Sequence, residues 1–277
     1  MKRSARRRLL WKTGLFFLLC ALSLVVLVPL AVMVFGSFKD SFEVTSFDAS
    51  LPKAWHWRNY AAVIKEAKLP QAFVNSIVIS GFSLALTVLV SSIASFVIAR
   101  SRSRIANFLY YFFFIGTLAP MQVIPTIRLF QVGHLYGSYL SVILIYAALN
   151  ISFSCFLYVG FIRTIPRALD EAATIEGASI GTMFFKILFP LLKPVNVTIT
   201  ILIFMGIWND INMPIYFLPD PEKWTMPVSV YRFYGMYYSD WNLVFADLAL
   251  TALPVVIVYL LGQRYIVSGL TAGALKD

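Results

Sequence analysis

Apolar and polar positions along this chain fall into long blocks. Gly14 to Phe35, Ala72 to Ala99, Phe108 to Ile127 and Leu140 to Ile162 contain no Asp, Glu, Lys or Arg. A hydrocarbon core about 30 Å thick needs roughly 20 apolar residues in helix, so each block predicts a transmembrane span. Val195 to Leu218 and Leu243 to Gln263 read the same way, although each holds one carboxylate, Asp210 and Asp247. The pattern therefore predicts an all-α integral membrane protein with six transmembrane helices in one domain, residues 1–277. Pro120 and Pro125 lie in the third block. Proline removes a backbone donor and crowds the preceding turn, and freed carbonyls are not tolerated against lipid. The third helix is thus expected to be kinked or broken and to line the interior.

Two polar segments carry structure of their own. Gly36 to Pro70 mixes Trp55, Trp57 and Tyr60 with Lys53 and Arg58, which predicts a short helix at the level of lipid headgroups. Residues 163–194 separate the fourth and fifth blocks. Pro166 suits a first turn, Arg167 to Ile175 are good helix formers with acids near their start, and Gly177 permits a sharp bend. Ser179 can cap a second helix running through Phe184 to Leu188, which Pro190 and Pro194 are expected to end. The result is a compact helical knob fit for a groove on a partner.

Composition supports this picture: 60% of residues are hydrophobic and 13% charged, far from a soluble domain. The net charge of +10 has a topological origin. Lys2, Arg3, Arg6, Arg7, Arg8 and Lys12 share one side with the three arginines of 100–107, with Arg163, Arg167, Lys186 and Lys193, and with Arg264 and Lys276. Basic residues collect on the cytoplasmic side, so both termini and the 163–194 segment are assigned there. The charge serves contact with anionic lipid rather than nucleic acid. The first apolar run is too long for a secretory signal and lacks a small-residue cleavage site. Cys20 and Cys155 fall inside spans, and His56 and His134 are far apart, so neither a disulfide framework nor a metal site is expected. The chain has no Gly-x-x-x-x-Gly-Lys-Ser/Thr loop, so any ATP must be handled by another polypeptide.

Glu171-Ala172-Ala173, Gly177, and Ile187 with Pro190 resemble the EAA signature of the membrane subunits of ATP-binding-cassette importers, with Phe189 where the family usually has leucine. Asn59-Tyr60, Asn75-Ser76, Ile124-Pro125, Pro166 through Ser179, Trp208-Asn209-Asp210 and Ser268 to Ala274 extend the resemblance and narrow it to carbohydrate-importer permeases of the maltose permease G-like type. Departures around Pro120-Met121 and Thr126-Ile127 leave the pore lining unassigned. The resemblance implies a type I ABC importer permease fold in the plasma (inner) membrane, and an ATPase-coupling segment of Glu171, Ala172, Ala173, Glu176, Gly177, Ala178 and Ser179. In that segment Glu171 would meet the ATPase, Ala172 and Ala173 would allow close approach, and Gly177 would set the bend. It also implies a homologous second permease, a cytoplasmic ATPase dimer that carries the ATP and Mg, and an extracytoplasmic solute-binding protein, with no cofactor and no bond chemistry in this chain.

Polar groups within spans are costly and tend to face the bundle interior. Asn150 and Ser154, four residues apart, share a helical face with Ser152 nearby; they are candidates for the substrate pathway or for interhelical hydrogen bonds. Arg128, Asp210 and Asp247 sit at similar depth, which predicts that Arg128 pairs with one of the two carboxylates as a gate or brace. Trp208 and Asn209, beside Asp210, belong to the same candidate gate. Two other function classes compete with this one. An ion-coupled secondary transporter would use Asp210 and Asp247 and show inverted repeats, but no repeat is visible. An intramembrane enzyme would need a nucleophile and base inside the spans, which the sequence does not offer.

Overall fold

The computed structural model describes residues 2–101, 103–235 and 239–274, with side chains described within 11–263. The side chains of Lys2 to Arg8, Arg102, Arg264 and the Ser268–Ala274 motif therefore lie outside the described residues. The helices are α1 (Lys2–Gly36), α2 (Arg58–Glu66), α3 (Leu69–Arg100), α4 (Arg104–Gly116), α5 (Val123–Val132), α6 (Tyr139–Ile162), α7 (Ala168–Ile175), α8 (Ile180–Thr182), α9 (Phe189–Leu191), α10 (Lys193–Asn209), α11 (Asn212–Phe217), α12 (Met226–Ser229) and α13 (Trp241–Ala274). They form two compact units, residues 1–70 with 229–253 and residues 71–228 with 254–277.

Four helical stretches are long and apolar enough to cross a membrane: Trp11–Gly36, Leu69–Arg100, Tyr139–Ile162 and Trp241–Gln263. The expected third span is split, as its prolines require. α4 ends at Gly116, residues 117–122 are irregular around Pro120, and Pro125 sits harmlessly in the first turn of α5. The expected fifth span also differs from an unbroken 195–218 helix. α10 stops at Asn209 and the short α11 follows, while at its other end α10 meets the helical run Ile180–Leu191 at a bend of 73°. Pro190 does not end the second helix of the polar knob, which stops at Leu191, ahead of Pro194. A π-helical stretch, Met183–Leu188, precedes Pro190 and carries the run to Leu191, with the bend falling at Leu192. A π turn shifts the hydrogen-bond register, so the proline ring need not displace the usual partner four residues back.

In the larger unit α3 presents a buried stripe of small hydroxyl residues: Ser76, Ser80, Ser83, Thr87, Ser91 and Ser95. Their spacing of three and four places them on one face, and small side chains let helix backbones come close where no hydrophobic force draws apolar helices together. Thr87 Oγ1 donates to the Ser83 carbonyl at 2.7 Å, while Ser95 Oγ reaches across to the Cys155 carbonyl of α6 at 3.2 Å. α6 is pinned on its other sides by three tyrosines. Tyr139 donates to Asn75 Oδ1 (2.9 Å), Tyr146 to Asp210 Oδ2 (2.9 Å) and Tyr158 to Asn196 Oδ1 (2.6 Å). The apolar core around these contacts includes Ile79, Tyr158, Ile162, Leu188, Leu192 and Ile199. Beyond the start of α3, Asn75 Nδ2 donates to the carbonyls of Glu222 and Trp224, and Ser76 Oγ accepts from the Met226 N–H. The matched pair Asn75-Ser76 thus ties residues 222–226 to α3.

In the smaller unit α1 ends against α13 so closely that a Cβ at Gly36 would lie 2.5 Å from Phe245 Cδ2. Phe38 then packs edge-on to Trp55 and Trp57, with ring centroids 4.9 and 4.7 Å away. The expected interfacial helix is α2, and Trp55 and Trp57 are exposed. Lys39 is 1% exposed, with its ammonium 2.7 Å from Asp48 Oδ1 and 2.9 Å from Ser50 Oγ. That ammonium holds the Asp48 carboxyl well below the usual carboxylate range. Asn59 Nδ2 donates to the carbonyls of Ser37 and Lys39, both at 2.9 Å, and its Oδ1 accepts from Asn242. Asn59→Ala would strip partners from several buried polar groups, each costing about 1–3 kcal/mol. It is expected to destabilise this unit by about 2–4 kcal/mol overall, read as an earlier tryptophan-fluorescence transition in denaturant titrations of the purified chain.

Candidate coupling loop and translocation path

The polar knob folds as its local signals require at its centre. α7 ends with Gly177 at φ +78°. The Ala178 N–H bonds the Ala173 carbonyl (2.9 Å) and the Gly177 N–H bonds the Thr174 carbonyl (3.0 Å), the pair of reversed bonds that closes a helix through a left-handed residue. No atom lies within 4 Å of a Cβ built at Gly177, so glycine is needed there for its backbone and not for space. Ser179 accepts from the Thr182 N–H (3.2 Å) and caps the next turn. Glu171, Ala172, Glu176, Gly177 and Ser179 face outward and Ala178 is half-buried. Ala173, expected to allow a partner's approach, is 4% exposed and packs within its own chain. The apolar side chains displayed beside the bend are Ile175 and Ile180, 87% and 74% exposed.

One contact was not foreseen. Arg100, the last residue of α3, lies with Nε 2.6 Å from Asp170 Oδ2 and donates Nη1 to the Ile165 carbonyl at 3.1 Å. Asp170 occupies the first turn of α7, where a carboxylate also complements the helix dipole. The pair fastens the loop to the end of a membrane-length helix. Its sequence signal was only an arginine at the end of an apolar block and an acid beside the EAA motif, 70 residues apart.

The pathway candidates separate. Asn150 is half-buried and returns its amide to the Tyr146 carbonyl one turn back (2.7 Å). Ser154 is fully buried and its hydroxyl has no partner. Ser152 lines a groove of about 740 Å³ between α4 and α6, with Phe108, Tyr111, Phe112, Gly116 and Ala148. A Cβ at Gly116 would come within 2.7 Å of Ser152 Oγ, so glycine lets α4 approach Ser152 closely beside that groove. The expected pairing of Arg128 with a carboxylate does not occur. Arg128 is exposed and donates to Gln131 at 3.4 Å. Asp210 accepts from Tyr146 and from the Asn212 and Met213 N–H groups (2.9 and 3.2 Å), and Asp247 accepts from Ser229 Oγ at 3.1 Å. Asp210 is thus committed to starting α11. Beside it Asn209 bonds the Met205 carbonyl (2.9 Å), while Trp208 is 1% exposed between Phe73 and Phe204. Among the described residues no cluster of His, Cys, Asp and Glu could hold a metal ion.

Two outcomes follow from this geometry. Gly177→Asn, which tolerates a left-handed backbone, is expected to keep the bend, whereas Gly177→Val is expected to lose about 1–2 kcal/mol locally. Hydrogen exchange at the Ala178 amide would report this as roughly tenfold faster opening in the valine variant. In a double-mutant cycle, Arg100→Gln and Asp170→Asn are expected to be non-additive by about 1–3 kcal/mol, measured by urea unfolding in detergent; additive effects would contradict the fastening role.

A family profile described as "Binding-protein-dependent transport system inner membrane component" matches residues 76–272. The chain is 33% identical to the probable starch degradation products transport system permease protein AmyC of Thermoanaerobacterium thermosulfurigenes, over 95% of this chain and 96% of that protein. It is also 33% identical to the multiple sugar-binding transport system permease protein MsmG of Streptococcus mutans, over the full length of both. Its fold matches a chain of the crystal structure of a bacterial ABC transporter involved in import of the acidic polysaccharide alginate, with a TM-score of 0.81 at 21% identity, covering 92% of this chain and 96% of that one. The profile match and the full-length relatives identify the chain as a multi-pass membrane protein of the binding-protein-dependent transport system inner membrane component family.

Proposed function

We propose that this chain is one permease subunit of an ATP-driven importer of a carbohydrate, a sugar, oligosaccharide or glycerol-phosphate-like solute. The observation that carries this reading is the loop of α7 and α8. It has a fixed left-handed bend at Gly177 and two exposed isoleucines beside it, and it is fastened through Asp170 to the end of α3. Such a projection suits a groove on a soluble motor and links docking there to a helix of membrane length. Relatives named for starch degradation products and for multiple sugars support the cargo class.

In this reading a cytoplasmic ATPase dimer supplies ATP hydrolysis with its own Mg, an extracytoplasmic solute-binding protein delivers the cargo, and a homologous second permease completes the pore. The termini lie in the cytoplasm, with α4–α5 as one discontinuous span and α10–α11 as another, making six. α1 leaves its apolar surface uncovered from Trp11 to Leu30, as a helix facing lipid or a second permease would. On this reading Ser152 and the α4–α6 groove meet cargo, and Glu171 meets the ATPase. No group here acts on covalent bonds. The ion-coupled alternative loses ground because Asp210 and Asp247 are held by Tyr146 and Ser229.

The test is reconstitution of the chain with its ATPase, second permease and binding protein in proteoliposomes. Carbohydrate-loaded binding protein is expected to raise ATP hydrolysis several-fold, and Ile175→Glu to abolish both that rise and co-purification of the ATPase. An absence of stimulation by every carbohydrate tried would refute the cargo class. Retention of the ATPase by the Ile175→Glu chain would refute the docking role.

A further inference from the structure

A second cavity, of about 490 Å³, opens where the end of α3, the start of α4 and the exit of α6 meet the approach to α7. Three arginines line it: Arg100, Arg163 and Arg167. Arg100 is committed to Asp170 and the Ile165 carbonyl. Arg163 and Arg167 are exposed and have no carboxylate partner among the described residues. Arg163 lies over the ring of Tyr110, with Cζ 5.0 Å from the centroid. A guanidinium held by its face keeps its N–H edge for an oxyanion, and stacking restricts the freedom that binding would otherwise remove. The Asn107 side chain adds an amide to the rim, and Ile98 and Ala99 supply an apolar wall. The cavity sits at the level where α4 begins at Arg104 and α6 ends at Ile162, the level at which apolar helices give way to headgroups.

We propose that this cavity binds a phosphate group, carried by an anionic phospholipid headgroup or by a soluble phosphate. Two uncompensated guanidiniums in one concave site match a tetrahedral oxyanion through charge-assisted, bidentate hydrogen bonds. The apolar wall suits the glycerol or acyl portion attached to a lipid phosphate. Pro166 and Arg167 lead directly into α7, so an occupant braces the approach to the loop. The site stands independently of which solute the transporter carries.

The experiment is a native mass spectrometry titration of the full-length chain in detergent. The arms are phosphatidylglycerol, phosphatidylethanolamine of the same acyl chains, inorganic phosphate and glycerol 3-phosphate. One saturable phosphatidylglycerol molecule is expected in preference to phosphatidylethanolamine. The variant R163Q/R167Q is expected to weaken it at least tenfold, and K186Q/K193Q, which removes equal charge elsewhere, less than twofold. Competition by millimolar inorganic phosphate or glycerol 3-phosphate would assign the site to soluble phosphates, and its absence to the lipid. Equal binding of both lipids without competition by either soluble phosphate, or equal losses in both double variants, would overturn the proposal. Should R163Q/R167Q fail to fold, R167Q alone must weaken binding at least threefold for the site to stand.

Discussion

A hydroxyl enclosed among apolar helices has no water to turn to, and α6 relies on that constraint at Tyr146 and Tyr158, with the half-buried Tyr139 adding a third bond at its start. Tyr139, Tyr146 and Tyr158 each donate to a group on a different neighbour: Asn75 in α3, Asp210 beyond α10, and Asn196 within α10. For the buried Tyr146 and Tyr158, losing the bond would leave a polar group unmet. Apolar packing tolerates sliding of one helix along another; a tyrosine hydroxyl aimed at one amide or carboxylate does not. The hydroxyl stripe of α3 acts in the same sense, since its small side chains let α3 come near enough for Ser95 to reach a carbonyl of α6. The larger unit is therefore registered against α6 by polar contacts, with the apolar core filling the space between.

Much of the architecture was legible from the sequence because hydropathy is a local signal. The long apolar blocks became α1, α3, α6 and α13, and Pro120 marked the break between α4 and α5. The fifth block reads as continuous by hydropathy, although Pro214, which cannot donate to the Asp210 carbonyl four residues back, marks a break in it. Its exact place is fixed by Asp210, which captures the amides of Asn212 and Met213 while held by Tyr146 from 64 residues away. Pro190 misled in the opposite direction: the π-helical turn before it accommodates the ring, and the chain bends at Leu192 instead.

The candidate site divides along the same line. Gly177 and Ser179 were readable because a left-handed turn and a cap are made by neighbours in sequence. The partner of Arg100, the burial of Ala173 and the separation of Ser152 from Asn150 and Ser154 depend on which helix lies alongside, and helical periodicity alone does not supply that. Arg128, Asp210 and Asp247 show how charge at similar depth can suggest a pairing that hydrogen bonding to closer groups has already displaced. Asn59, Asn75 and Ser76, which carry part of the resemblance read from the sequence, are fasteners for loops.

The two attachments of α3 have a mechanical meaning when taken together. Asn75 grips residues 222–224 at one end, and Arg100 grips Asp170 at the other. At 1.5 Å per residue the two grips are about 38 Å apart along a single helix. A stiff rod clamped at both ends changes its length very little, so it relays displacement with little lost to flexing. The segment around Asp170 and the segment around Trp224 are thus joined through one helix.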